Sequence, residues 1–287
     1  MLAKIRKFFG DTMPRDLKYK IKFKWMPIVS VLYPETLIIS YPKCGRSWLR
    51  LLVNDTLANE FSGKIREGAL QEERLSRLHK RIPSIGITHD DDPMLKTTEE
   101  IICSKKFYKN KNVVLLVRDP RDVIISWYFQ VINRGSLKNF KEEIDIDSPK
   151  NFIYNKRGGL ETIIKFYNVW WENRELPKSF YVMSYESLRS DTKGELQKLF
   201  KFWGVDDLIG STSLDYSIEK NSFENLKSKE KRGEVKHGAF KTEEKNNQDA
   251  YKVRKGKVGG YIDYLEKEDI EYMDKMINKE LNKSFRY

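Results

Sequence analysis

The chain has 287 residues, with 54 Lys and Arg against 42 Asp and Glu and a formal net charge of +12. Hydrophobic residues make up 39% and aromatics 13%, enough apolar material to offset the entropy of ordering and exclude a disordered chain. Two cysteines, Cys44 and Cys103, exclude a disulfide framework and a cysteine-rich zinc module, and the longest aliphatic run, Val113–Val117, is far short of the roughly 18 residues that span a bilayer.

The chain opens on a basic arm, residues 1–30, where cations from Lys4 to Lys24 interleave with Phe8, Phe9, Tyr19, Phe23 and Trp25. Such a stretch reads either as a solvated face or as a peripheral contact with an anionic membrane or nucleic acid, with neither partner obligatory. The leading MLAKIRKFFGD lacks a sustained apolar core and a small-residue cleavage site, so it does not read as a secretory signal, and a reducing, cytoplasmic setting is expected. No Pro/Gly/Ser-rich linker divides the remainder of the chain, so one domain is expected over 31–287.

Thr36–Ser40, TLIIS, reads as a buried strand, and residues 41–47 as a tight turn. A helix over 48–61 puts Leu49, Leu52, Val53, Thr56 and Leu57 on one face. A second helix is expected over 71–80, a short strand over 83–88 (PSIGIT) and an acidic turn over 89–93. VVLLVR, 113–118, is the clearest buried strand. Asp119 and Pro120 then open a helix to Ile132, the Asp as cap and the Pro at the first helical position. A helix from Gly159, a strand over 180–183 and a helix introduced by Thr192-x-x-Glu195 as a capping box come next. Residues 225–248 read as a polar loop and 267–285 as an amphipathic helical tail. Short apolar strands alternating with helices predict a single α/β domain with a mainly parallel central sheet flanked by helices.

YPKCGRSW, Tyr41–Trp48, falls where a strand ends and a helix begins. That junction attracts anions in α/β folds, because unpaired amides and the helix dipole point at the same spot. Gly45 lets the backbone approach an oxyanion, Ser47 adds a hydroxyl and Lys43 a full charge. The spacing is not G-x-x-x-x-G-K-S/T: the Lys precedes the Gly, and the loop suits a single phosphate in a P-loop-like arrangement. At the end of the strand 113–118, Arg118 offers a guanidinium fork, and Ser126, on the helical face of Asp122, offers a hydroxyl. An ion pair of Arg118 with Asp119 or Asp122 is the plainer reading of the same residues.

The chain resembles the cytosolic-type sulfotransferases that use 3′-phosphoadenosine 5′-phosphosulfate, whose phosphosulfate loop reads Y-P-K-S/T-G-T-T/S-W. Tyr41, Pro42, Lys43, Gly45, Ser47 and Trp48 are in register, while Cys44 and Arg46 depart from it. The resemblance extends to Arg118 and Ser126, which match the family's 3′-phosphate pair, and to VRKGKVGGY, where Arg254, Lys255, Gly256 and Gly259 match R-K-G-x-x-G-D-W. Gly260 and Tyr261 replace its Asp and Trp. It implies that Phe223 stacks on adenine and that Tyr185 hydrogen-bonds it. It further implies that the loop of Lys43, Cys44, Gly45, Arg46, Ser47 and Trp48 binds the donor largely through its backbone N–H groups, with Arg46 either adding charge to the 5′-phosphate or pointing outward.

The implied reaction moves a sulfuryl group to a hydroxyl or amine of a small-molecule, lipid or carbohydrate acceptor. Catalysis is then alignment plus charge stabilisation, with Lys43 beside the leaving phosphate and no metal required. Of the three His, His79 falls in a charged helix and His237 in the polar stretch. His89 follows the strand-like PSIGIT and matches the family's K-T-H except for Ile87, so it is the expected general base. Asp90, Asp91 and Asp92 could orient its ring or bind a cationic acceptor. Two rivals stand beside this reading. Cys44 and Arg50 satisfy the Cys-x-x-x-x-x-Arg spacing of a cysteine phosphatase, which needs a lowered thiol pKa. The basic arm alone would suit a non-catalytic binder of nucleic acid or acidic membrane.

Overall fold

In the computed structural model, which describes residues 34–61, 75, 78–133, 146–235, 251, 253–254 and 256–287, the aliphatic runs become strands of one sheet. β1 (Thr36–Ser40) is buried throughout, and β3 (Asn112–Val117) is buried after its first residue. Unbroken apolar runs of this kind belong to strands covered on both faces. With β2 (Ile85–Thr88) and β4 (Ser179–Ser184) the order is β2-β1-β3-β4, and every pairing is parallel. Ser40 lies opposite Leu116, and Val117 opposite Ser184, so the strands finish nearly level.

Among the described residues the α-helices include, in chain order, α1 (Arg46–Glu60), α2 (Pro120–Asn133), α3 (Pro149–Ile153), α4 (Leu160–Glu172), α5 (Tyr185–Ser190), α6 (Thr192–Phe202), α7 (Ser211–Lys220), α8 (Phe223–Lys231) and α9 (Lys267–Glu280). α1 packs with α7, and α7 with α6; α2 packs with α4, and α4 with α9. β1 connects to β2 on one side of the sheet and β3 to β4 on the other. Right-handed crossovers in opposite directions place their helices on opposite faces. Trp127, Trp170, Phe166, Tyr167 and Phe200 fill the core between helices and sheet.

The loops leaving β1 and β3 therefore diverge. A crevice opens at the carboxyl ends of these two neighbours, the place where open α/β sheets take their ligands. The residues after Ser40 and after Val117 both face it.

Several local expectations are corrected. α1 begins at Arg46, two residues early, because Gly45 takes the left-handed conformation that starts the turn. The Thr192–Glu195 capping box does not form. Asp191 is the cap, accepting the Gly194 N–H at 2.9 Å. The Thr192 hydroxyl donates back to the Leu188 carbonyl at 2.8 Å, while buried Glu195 accepts from Tyr181 Oη at 2.9 Å. Residues 225–231 are helical rather than a loop, since Ser222 caps α8 through the Asn225 N–H and Leu226 is buried. The tail helix ends at Glu280, with a short turn over Lys283–Phe285. The helix expected over 71–80 falls largely outside the described residues; Leu75 within it is buried. The basic arm, His237, residues 236–248 and Lys255 also lie outside them. Among the described residues no helix is long and apolar enough to cross a membrane.

Candidate functional site

The crevice begins where β1 gives out. Tyr41 is fully buried and its hydroxyl shares a hydrogen bond with Thr162 Oγ1 of α4 at 3.1 Å, which pins the start of the loop to the core. Lys43 and Gly45 both have left-handed backbone, with φ of 75° and 89°. For Lys43 that conformation costs about 1 kcal/mol, a strain that concentrates at functional loops. At Gly45 a second constraint applies, because a Cβ would lie 2.6 Å from the Tyr185 ring. The Gly45 carbonyl takes the N–H groups of Trp48 and Leu49 at 2.9 and 3.0 Å, starting α1. No side chain caps this helix and no acid occupies its first turn. Its positive end is left for an anion.

Arg118 closes the other side. Its backbone N–H and carbonyl are both held by the Tyr167 hydroxyl, at 3.0 and 2.8 Å. The guanidinium lies 4.4 Å from the Tyr185 ring centroid, donates to the Lys43 carbonyl at 3.2 Å and to the Lys257 carbonyl at 3.3 Å, and pairs with Asp122 at 3.3 Å. The plainer reading of an Arg118–Asp122 ion pair is thus partly right, but the pair is buried rather than exposed; Asp119 pairs with Arg121 instead. Arg118 Nε is buried without a hydrogen-bond partner. A buried, half-satisfied guanidinium is what an anion in this cavity would complete. Ser126, one turn beyond Asp122, lines the same cavity.

The remaining walls are aromatic and cationic. Trp48 donates its indole N–H to the Asn221 carbonyl at 2.9 Å and meets Tyr185 edge-on at 6.0 Å. Arg189 lies over both Trp48 and Phe223, at 5.6 and 5.8 Å. Gly256, with φ 60°, packs so closely on Phe223 that a Cβ would be 2.3 Å from its ring. Arg254 faces Phe129 at 4.1 Å and donates to the Tyr264 hydroxyl. Lys43, Gly45, Arg46, Ser47, Trp48, His89, Arg118, Ser126, Tyr185, Phe223, Arg254 and Gly256 all line one cavity. Gln130, Arg189 and Asp122 are among the further lining residues not singled out as binding residues from sequence. Gln130 Oε1 accepts from Lys43 Nζ at 3.0 Å, and only the helical spacing from Ser126 hinted at it.

His89 follows β2, and its Nδ1 lies 2.7 Å from the Ser40 carbonyl. A carbonyl only accepts, so Nδ1 carries the proton and the neutral ring has its lone pair on Nε2. A main-chain oxygen therefore orients the ring. The Asp90 oxygens are taken by buried Lys105 and by Tyr108 Oη, and Asp91 Oδ2 by Lys96 Nζ and the Ile102 N–H. This corrects the expectation that Asp90 or Asp91 orients the imidazole. Burial raises the Asp90 and Asp92 carboxyls above the ordinary carboxylate range. His79 stacks on Phe61 at 5.9 Å, away from this cavity.

Cys44 points the other way. Its side chain is fully buried, with Sγ 3.3 Å from Tyr167 Oη, and burial pushes the thiol up to about 12. Only its backbone can take part in an anion cradle. A phosphatase nucleophile needs a thiolate facing the cavity, so that reading fails on both counts. Among the described residues no group of three or more His, Cys, Asp or Glu side chains gathers as a metal site would.

A family model for the sulfotransferase domain matches residues 33–285. Mouse sulfotransferase 2A6 is 26% identical over 250 residues, covering 86% of this chain and 84% of its own. Mouse sulfotransferase 1B1 is 25% identical with coverage of 86% and 83%, and human sulfotransferase 2A1 is 25% identical with coverage of 67% and 66%. Among solved structures, retinol dehydratase bound to androsterone and the inactive cofactor PAP superposes with a TM-score of 0.52 at 18% identity, covering 85% of this chain and 80% of that one. That last likeness is one of fold.

Proposed function

Because the chain belongs to the sulfotransferase-domain family, we propose that it moves a sulfuryl group from 3′-phosphoadenosine 5′-phosphosulfate to a hydroxyl or amine of a small-molecule, lipid or carbohydrate acceptor. The observation that carries this reading is the meeting, in one crevice, of the uncapped N-terminus of α1 and the half-buried Arg118 with its buried, unpartnered Nε. Two separate anion sites on neighbouring strands suit one ligand with two anionic groups.

In this reading the amides from Gly45 to Ser47, with the Arg46 charge, hold the 5′-phosphate end. Arg118, Ser126 and Arg254 hold the 3′-phosphate, and Lys255 joins them. Phe223 and Trp48 give the adenine its apolar walls, and Tyr185 hydrogen-bonds it. Lys43, beside the loop, neutralises charge that builds on the bridging oxygen as the phosphate leaves. His89 takes the acceptor proton at Nε2, and its Nδ1–H stays on the Ser40 carbonyl, which favours the imidazolium once formed. The reaction needs no oxidant and leaves adenosine 3′,5′-bisphosphate.

The test is transfer of labelled sulfate from this donor to an acceptor panel by the wild type, Lys43→Ala and His89→Ala. Both variants are expected to lose turnover by about a hundredfold or more. His89→Ala should still bind adenosine 3′,5′-bisphosphate, since the ring has no place in the phosphate cradles. Equal loss of nucleotide binding removes His89 as the base. A wild type that binds the bisphosphate no better than AMP removes the donor assignment.

A further inference from the structure

The segment 253–261 lines the cavity with Arg254 and Gly256, and beside its side-chain contacts, such as Lys257 with Asp263 and Tyr261 under Arg121, it is held by its backbone. Its main chain is fastened from outside by two buried carboxylates. Asp122, in the first turn of α2 and 3% exposed, takes the Gly259 N–H on Oδ2 at 2.9 Å and the Tyr261 N–H on Oδ1 at 3.1 Å. Glu230, near the end of α8 and 5% exposed, takes the Val253 N–H on Oε2 at 2.8 Å. Between them, Arg118 donates to the Lys257 carbonyl at 3.3 Å and pairs with Asp122 at the same distance.

Burying a carboxylate is costly unless its oxygens are hydrogen-bonded. A negative charge within reach of a candidate anion site also works against an incoming phosphate. Two such groups grip the backbone of one segment from α2 and α8. We infer that Asp122 and Glu230 are positioning residues: by fixing segment 253–261 they set the preference for an adenosine carrying two phosphates over one carrying only a 5′-phosphate. This rests on the donor assignment and adds to it two residues that act through the backbone of segment 253–261.

The logic lies in what each bond reaches. Asp122 holds the strand-end Arg118 and the Gly259–Tyr261 turn at once, so one carboxylate sets the distance between Arg118 and the part of the chain that carries Arg254. Gly259 has a left-handed φ of 73°, which turns its N–H onto Asp122. These bonds from Asp122 and Glu230 run to Arg118 and to segment 253–261, not to the Lys43–Ser47 loop, where a lone 5′-phosphate would be held.

Calorimetry on the full chain with adenosine 3′,5′-bisphosphate and with AMP tests this. In Asp122→Asn one of two acceptor oxygens becomes an NH₂ facing a backbone N–H. In Glu230→Ala the Val253 N–H loses its acceptor, and the change is remote enough to be read if Asp122→Asn fails to fold. Each variant is expected to weaken the bisphosphate about tenfold, the scale of one buried polar group left unpaired, while AMP changes far less. Equal weakening of both nucleotides, or no change in either, overturns the inference while the donor assignment stands. A wild type that binds the two nucleotides alike overturns the donor assignment and this inference with it.

Discussion

Cys44 and Cys103 share a chemistry and have opposite surroundings. Cys44 is sealed against Tyr167, and its pKa of about 12 keeps it a thiol throughout the alkaline range in which proteins are labelled; Cys103 is exposed. Since the thiolate is the reactive form, Ellman's reagent at pH 8 should titrate one thiol per native chain and two in denaturant. Two fast thiols in the native protein would contradict the inward placement of Cys44. The same loop marks the limit of what single residues disclose. That Lys43, Gly45, Ser47 and Arg118 gather in one cavity could be read from sequence, because each stands at or just beyond a strand end. Gln130 and the double grip of Asp122 could not, because Lys43 and Gly259 approach them across 87 and 137 positions of chain.

The connection from β2 to β3 carries His89 at its start and a buried polar cluster behind it. Asp90 is 9% exposed with φ 63°, its N–H accepted by Thr88 Oγ1 at 2.9 Å. Its carboxylate meets the Lys105 ammonium, which also lies 5.4 Å from the Trp170 ring, and accepts from Tyr108 Oη at 2.5 Å. Removing one partner of such a pair leaves a buried charge, so Lys105→Met should lose roughly 3–5 kcal/mol in urea unfolding. Tyr108→Phe should lose about 1–2 kcal/mol, and Asp90→Asn added to Lys105→Met should recover part of the loss. A Lys105→Met protein as stable as the wild type would show that the cluster is not closed. Three adjacent acids in the sequence suggested a ligand site, but a lysine 15 positions away answers the first of them. At this scale the strands were readable, because apolar runs buried on both faces have few alternatives. The cap of α6 and the extent of α8 were not, since neighbouring Asp191 and Thr192 compete for one role and α8 is mostly polar.

For the whole molecule, alternation of strand and helix foretold a parallel sheet, but strand order was beyond it, because nothing local distinguishes a crossover to the left from one to the right. That order makes the crevice, by setting β1 beside β3. The family match begins at residue 33, beyond the basic arm expected over 1–30. Deleting the arm should leave bisphosphate affinity within about twofold, and a loss of sedimentation with phosphatidylserine vesicles on deletion would favour a membrane contact over a solvated face for its clustered cations. Retained sedimentation would move any membrane contact onto the domain itself.

Finally, the Ser40 carbonyl that receives His89 is the last link of β1, and the loop bearing Lys43 grows from the next residue. In the proposed reaction the base His89, which follows β2, thus docks by one hydrogen bond on the end of the strand from which the loop bearing Lys43 grows. Exchanging loops outside these two strand ends should leave the span between His89 and Lys43 unaltered, so chimeras that swap such loops should keep the hydrogen bond between His89 and the Ser40 carbonyl.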